Sequence, residues 1–285
     1  MKTYLDCIPC FLKQGLFAAR IAGLGQDDQK KVLDDISKII PDIPLESSPP
    51  EIAMDVYKVV REISGLNDPY KRIKKKYISL ALNLYPELKR IVNDAEDPLL
   101  AAIRVAIAGN IIDFGVGNEF NVEESLKDVM RKEFAILDYE FFKQDLLEAD
   151  KILYIGDNAG ETVFDRVLIE EMKGKVIYAV RGKPIINDAI IEDARRSGIG
   201  EVAEIISSGS PAPGTILSRC SKKFLNIFNR ADLVISKGQG NYESLSEIDK
   251  EIFFLLKAKC PVIARDIGVG EGSIILMKQK CEDKT

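Results

Sequence analysis

The chain has 285 residues, of which 46% are apolar and 30% charged, a composition that supports a sizeable core and excludes disorder and a disulfide-stapled mini-domain. Its net charge of −5 argues against a general nucleic-acid binder while leaving room for a local basic pocket. It contains no histidine, which excludes Ser-His-Asp triads, Cys-His pairs, phosphohistidine and imidazole-held metals; a general base is then Asp, Glu, Lys, Tyr, Cys or a metal-bound water, and an oxygen-rich metal site favours hard cations.

In chain order, the opening MKTYLDCIPC lacks the apolar stretch of a signal peptide. The cysteines, Cys7, Cys10, Cys220, Cys260 and Cys281, are odd in number and scattered, which argues against a secreted disulfide framework and for a cytoplasmic protein. Cys7 and Cys10 form a CxxC with no second pair nearby, read here as a structural start to the first helix. Apolar spacing predicts helices over Tyr4 to Ala22 and Asp27 to Ile40. Ser48-Pro49-Pro50-Glu51 is a capping-box start for a helix that stops at Gly65. Asp68-Pro69 opens another, to about Leu84, whose basic run Lys71 to Lys76 reads as a solvated face. The apolar stretch Pro98 to Val116 contains Arg104, Asn110 and Asp113 and is too polar for a membrane span. It predicts a helix over Pro98 to Phe114. Asn110 and Asp113 lie three apart on one face of it, either as a satisfied structural pair or as part of a helical lid lining a pocket. Two short amphipathic helices follow, over Val122 to Tyr139 and Glu140 to Leu147.

The second half alternates. Strands are predicted at Lys151 to Ile155, Lys175 to Val180, Glu204 to Ser207, Asp232 to Ser236 and Cys260 to Ala264, with helices between them. Alternation of this kind implies an α/β fold: a Rossmann-like, mostly parallel sheet flanked by helices. The expected organisation is a helical region, 1–145, covering the site, and an α/β core, 146–285, carrying it.

Ligands of such sheets bind beyond the carboxyl ends of the strands, and polar residues collect there: Gly156-Asp157-Asn158-Ala159-Gly160-Glu161, then Arg181 and Asn187-Asp188, then Ser207-Ser208-Gly209, then Lys237-Gly238-Gln239-Gly240-Asn241. Asp157 and Asn158 with Asp188 are candidate oxygen ligands for a hard cation. The 31-residue step from Asp157 to Asp188 is one strand-helix-strand unit, which brings the two to neighbouring strand ends. The bland alternatives are that Asn158 caps the next helix with Glu161 closing the box, and that Asp188 merely opens a helix. In the last loop, glycines admit an anion to the backbone and Lys237 offers a point charge; a plain turn explains it equally well. Ser207-Ser208-Gly209 could bond phosphate oxygens or simply turn the chain.

Taken together, Gly156 to Glu161, Asn187-Asp188 and Lys237-Gly-Gln-Gly-Asn-Tyr-Glu243 resemble the DUF89 proteins, the damage-control phosphatase family. Cys7-Ile-Pro-Cys10, Asp68-Pro69-Tyr70 and Gly109-Asn110-Ile-Ile-Asp113 resemble its short archaeal-type members. The resemblance implies a metal-dependent phosphatase of metabolite repair, a hydrolase acting on small phosphorylated metabolites such as sugar phosphates or damaged cofactor precursors, with no nucleic-acid or membrane partner. It implies a divalent metal (Mg²⁺, Mn²⁺, Co²⁺ or Ni²⁺) on Asp157, Asn158 and Asp188, and phosphate on Lys237 to Asn241. The expected chemistry is attack by a metal-activated water, with a covalent Asp157 as an open alternative. Glu161 or Asp188 would orient the water, and Lys237 would neutralise charge. Phosphate would also meet Ser207, Ser208, Gly209, Gly238, Gly240, Asn241, Asn110, Asp113 and Arg181. Two rivals stand beside this reading: an S-adenosylmethionine-dependent carboxyl methyltransferase, and a non-catalytic, metal-dependent binder of phosphorylated ligands. Asp157 stands where a methyl-donor cofactor would want bare backbone.

Overall fold

The computed structural model describes residues 1–111 and 129–279, so the candidate Asp113 and Cys281 lie outside the described residues. The helices of the first half are α1 (Cys7–Ile21), α2 (Gln26–Ile39), α3 (Pro49–Ser64), α4 (Lys71–Asn93) and α5 (Pro98–Ile111). The start of α3 is built as its residues predict: the Glu51 carboxylate accepts from the Ser48 backbone N–H at 2.8 Å and from its hydroxyl at 3.1 Å. Gly65, at φ 69°, ends the helix. Helix α4 runs beyond the expected Leu84, through Pro86, to Asn93.

Then come β1 (Phe134–Leu137), α6 (Tyr139–Glu148), β2 (Lys151–Ile155), α7 (Thr162–Ile169), β3 (Lys175–Val180), α8 (Ile191–Arg196), β4 (Glu204–Ser207), α9 (Lys222–Arg230), β5 (Leu233–Lys237), α10 (Gln239–Leu245), β6 (Ile252–Lys257), α11 (Pro261–Ile267) and β7 (Ile274–Gln279). Two expectations are corrected. The helix expected over Val122 to Tyr139 ends, in its described part, at Arg131 and gives way to β1, an edge strand whose partner β7 lies far along the chain; local periodicity carries no trace of such a partner. The strand expected over Cys260 to Ala264 is α11, with Pro261 in its first turn and Gly268 at φ 82° after it. The strand in that region is β6, whose apolar run Ile252 to Leu256 is buried throughout. Short apolar runs do not distinguish buried strand from buried helix.

The sheet has seven strands in the order β1-β7-β6-β5-β2-β3-β4. Pairs β6-β5, β5-β2, β2-β3 and β3-β4 are parallel, β7 is antiparallel to β6, and β1 is parallel to β7. Strand order reverses at β2, so the crevice between the carboxyl ends of β2 and β5 is the topological switch point. Side chains alternate between faces. Tyr154, Tyr178, Ile235 and Phe253 pack with α4, α5, α6 and α7. Leu153, Ala179, Val234 and Phe254 pack with α9, α10 and α11. Part of one helical layer, α4 and α5, therefore comes from the N-terminal part of the chain, which carries Asn110 to the edge of the sheet. Helices α1, α2 and α3 share a separate apolar cluster that takes in Ile185 from the loop after β3. Among the described residues, no helix is long and apolar enough to cross a membrane.

Candidate active site

Beyond β2 the chain turns at Gly156, where a side chain would strike the Tyr178 ring, and presents Asp157 and Asn158. Beyond β3 it runs through Arg181 to Asp188. The two segments pair directly: Asn158 and Asp188 form a β-bridge, the Ala159 N–H donates to the Asn187 carbonyl at 2.8 Å, and the Ala189 N–H donates to the Asp157 carbonyl at 2.8 Å. The Asp157–Asp188 juxtaposition inferred from spacing is thus a feature of the fold. Asn158 does not cap α7. That position is Glu161, and the Asn158 amide donates to Asp157 Oδ2 and Glu161 Oε2, each at 3.2 Å.

Arg181 lies between the two aspartates. Its Nε donates to Asp188 Oδ2 at 2.6 Å and its Nη2 to Asp157 Oδ1 at 3.3 Å. Nη1 donates to Thr215 Oγ1 at 3.1 Å and Asn241 Oδ1 at 2.8 Å. The Asn241 amide in turn donates to the carbonyls of Gly156, at 3.1 Å, and Lys237, at 2.7 Å. Arg181 and Asn241, expected at the phosphate, tie the loops after β2, β3 and β5 to each other.

Lys237 is equally committed. It is fully buried, and Nζ donates to Ala106 O at 2.9 Å, Glu161 Oε1 at 2.5 Å and Asp165 Oδ1 at 2.5 Å. An ammonium has three protons, and these acceptors use all of them. Burial alone would lower its pKa; the charges of Asp165 and Glu161 outweigh that and raise it. Asp165 also accepts from the hydroxyls of Tyr154 at 2.8 Å and Tyr178 at 2.7 Å.

Gly238 is buried and has φ 76°; a side chain there would run into the Asp157 carboxylate and the Asn110 amide. Its N–H donates to the Leu255 carbonyl at 3.1 Å, so this glycine makes room for Asp157 and its amide serves the sheet. Gly240 packs against the Pro213 carbonyl. After β4, Ser207 Oγ accepts from the Gly209 N–H at 3.1 Å and Ser208 Oγ from the Ser210 N–H at 3.3 Å. Ser208 is buried, and Gly209 stacks its backbone on Gly182. These hydroxyls shape their own turn.

What faces the crevice is acidic and amidic. The Asn110 amide donates to Asp157 Oδ2 at 3.2 Å and Glu161 Oε2 at 3.1 Å. Its Oδ1, and Asp188 Oδ1, are buried with no hydrogen-bond partner. Burial, with the charges of Asp188 and Glu161, pushes the Asp157 carboxyl well above the usual range against the pull of Arg181 and Lys259. Burial also raises Asp188 against Arg181. Four buried carboxylates, Asp157, Glu161, Asp165 and Asp188, meet two buried cations, Arg181 and Lys237. The cluster therefore holds more carboxyl groups than cations, a set that a divalent cation would complete. Among the described residues no three His, Cys, Asp or Glu side chains form a ready ligand shell. The donors that fit a hard cation are two carboxylates, Asp157 and Asp188, with the amide of Asn158.

Sequence reasoning missed Asp165 and Lys259. Asp165 had a signal, an acidic residue inside the apolar helix Thr162–Ile169 and one turn from Glu161. Lys259, whose charge reaches Asp157, follows β6, a strand that was expected elsewhere.

The family model for the Damage-control phosphatase ARMT1-like domain matches residues 3–275, and the chain belongs to this family. It is 39% identical to an uncharacterized protein of Methanocaldococcus jannaschii, over 98% of this chain and 96% of the relative. It is 35% identical to a damage-control phosphatase of Pyrococcus horikoshii, over 98% and 99%, and 36% identical to one of Archaeoglobus fulgidus, over 96% and 98%. The crystal structure of a DUF89 family protein from Pyrococcus horikoshii superposes with a TM-score of 0.90 at 33% identity, covering 98% of this chain and all of that one.

Proposed function

We propose that this protein is a divalent-cation-dependent phosphatase that hydrolyses small phosphorylated metabolites. The observation that carries the reading is the buried pairing of Asp157–Asn158 with Asp188 at the switch point, with more carboxyl groups than cations around it and an unpartnered Asp188 oxygen. The damage-control phosphatase names of the relatives support it. Asp157, Asn158 and Asp188 would hold the cation, which when bound supplies electrostatic stabilisation of a phosphoryl group.

The remaining residues act behind these three. Asp157 keeps a small solvent-accessible edge, 11% of its side chain, whereas Asp188 has 1% and Glu161 none. Arg181 holds the two aspartates side by side. Glu161, clamped by Lys237, orients the amides of Asn110 and Asn158. With no histidine, an attacking water takes its orientation from carboxylate or amide oxygens. Four free cysteines among the described residues support a cytoplasmic setting.

The test is phosphate release from a panel of sugar phosphates, nucleotides and phosphopantetheine-type compounds by chelated protein, with Mg²⁺, Mn²⁺, Co²⁺ or Ni²⁺ restored. Asp188→Asn is expected to lower cation-dependent turnover by about a hundredfold or more. Absence of release with every cation from a folded chain overturns the reading, leaving a binding module; full activity in Asp188→Asn overturns the site.

A further inference from the structure

The run Lys71 to Lys76 reads as a solvated basic face, yet Lys74 is 2% exposed. Its ammonium lies 2.9 Å from Asp68 Oδ2 and 2.9 Å from Asp193 Oδ2. Burial works against its charge, but attraction to Asp193 and Asp68 outweighs this and raises its pKa. Asp193 has a second task. Its Oδ2 accepts from the Ile190 N–H at 3.1 Å, fixing the chain two residues beyond Asp188. Asp68 is braced as well, its Oδ1 accepting from the Tyr70 N–H at 3.1 Å at the entry to α4.

The segment around Asp188 is held on every side. Ile185 is buried among the apolar residues of α1, α2 and α3. The Arg181 N–H donates to the Ala189 carbonyl at 2.9 Å and the Ala189 N–H to the Asp157 carbonyl at 2.8 Å. Between these anchors Ile186 sits at φ 36°, a region that β-branched residues adopt only where the surroundings over-determine it. Within it Asp188 keeps one buried oxygen without a partner. A loop under strain stays in place only while its ends are pinned, and Lys74 pins the far end.

We propose that Lys74 is a positioning residue for Asp188: the buried Asp68–Lys74–Asp193 tie locks the loop so that Asp188 stays beside Asp157 and Asn158 in the geometry that binds a divalent cation. This rests on the cation reading of those three residues. It also gives a functional role to the Asp68-Pro69-Tyr70 segment, which the sequence offered only as a helix start and as part of the family resemblance.

A tie that only stabilised the fold would alter thermal stability and leave cation affinity alone. The experiment therefore measures Mn²⁺ dissociation constants, from the electron paramagnetic resonance of free Mn²⁺, beside thermal midpoints of the chelated full chain. The variants are Lys74→Met; Asp193→Asn, which keeps an acceptor for the Ile190 N–H while removing the ionic tie; and Leu88→Ala, fully buried on the same helix. Lys74→Met and Asp193→Asn are expected to weaken Mn²⁺ binding by about tenfold or more. Leu88→Ala is expected to lower the midpoint while keeping the dissociation constant within about twofold. Where Lys74→Met does not fold, Asp193→Asn decides. Mn²⁺ affinity in Asp193→Asn within about twofold of wild type overturns the positioning role. A wild-type chain that takes up no Mn²⁺ overturns the cation reading, and this inference with it.

Discussion

At Lys237 three ammonium protons meet three acceptors, two of them carboxylates sealed from water. Deleting the lysine leaves Glu161 and Asp165 buried without their counter-ion. Lys237→Met is therefore expected to cost about 3–5 kcal/mol of stability, read from urea unfolding, a loss that a lysine reaching only to phosphate would not produce. Asp165 makes a pH-dependent contribution. Burial pushes its carboxyl up to about 6 against the pull of Lys237. The folded chain then holds this proton at pH values where the unfolded chain, with a carboxyl near 4, has released it. The contribution is full below that unfolded value and is lost as pH rises through about 6. The urea midpoint of the wild type is expected to fall between roughly pH 4 and pH 6.5 by an amount that Asp165→Asn removes; parallel profiles for the two proteins would show that Asp165 does not titrate there.

Among the elements, those with local signals were legible. The capping box of α3 and its closing glycine are interactions within a few residues, and the structure forms them. Strands β2, β3, β4 and β5 announced themselves as short apolar runs followed by turn residues. Strand β1 and helix α11 were misread because each is short, and its partner rather than its own period decides its state. The loop after β3 belongs to this scale too, since an apolar side chain anchors it. Ile185, 2% exposed in the cluster of α1, α2 and α3, is expected on replacement by alanine to cost about 2–4 kcal/mol. Urea unfolding measures this, and a cost near zero would show that the loop is not held by that packing.

Across the whole molecule, the central strands are covered on both faces by large apolar clusters, whereas α1, α2 and α3 share a cluster of their own. Regions with separate cores open separately. Native-state hydrogen exchange is expected to show amides of these three helices opening at lower free energy than those of β5 and β6. A single opening energy for both would mean that the clusters unfold as one unit. The same arrangement positions the candidate site: helices cover both faces of the central strands, and the reversal of strand order at β2 makes the crevice.

The sequence by itself determined the chemistry available and its approximate place. Absence of histidine excluded imidazole ligands and bases, alternation of strand and helix put the polar loops at one edge of a sheet, and the 31-residue step brought Asp188 to Asp157. These follow from short-range rules of periodicity, capping and crossover length. Only the tertiary structure decided which charges are free. Lys237, Arg181 and Asn241, which sequence alone offers to a phosphate, bond to buried groups inside the protein, and Lys74, which reads as solvated, is buried. Several of their partners lie tens to over a hundred residues away. Strand order and helix packing set such pairings, and a buried charge must find a partner wherever the fold supplies one.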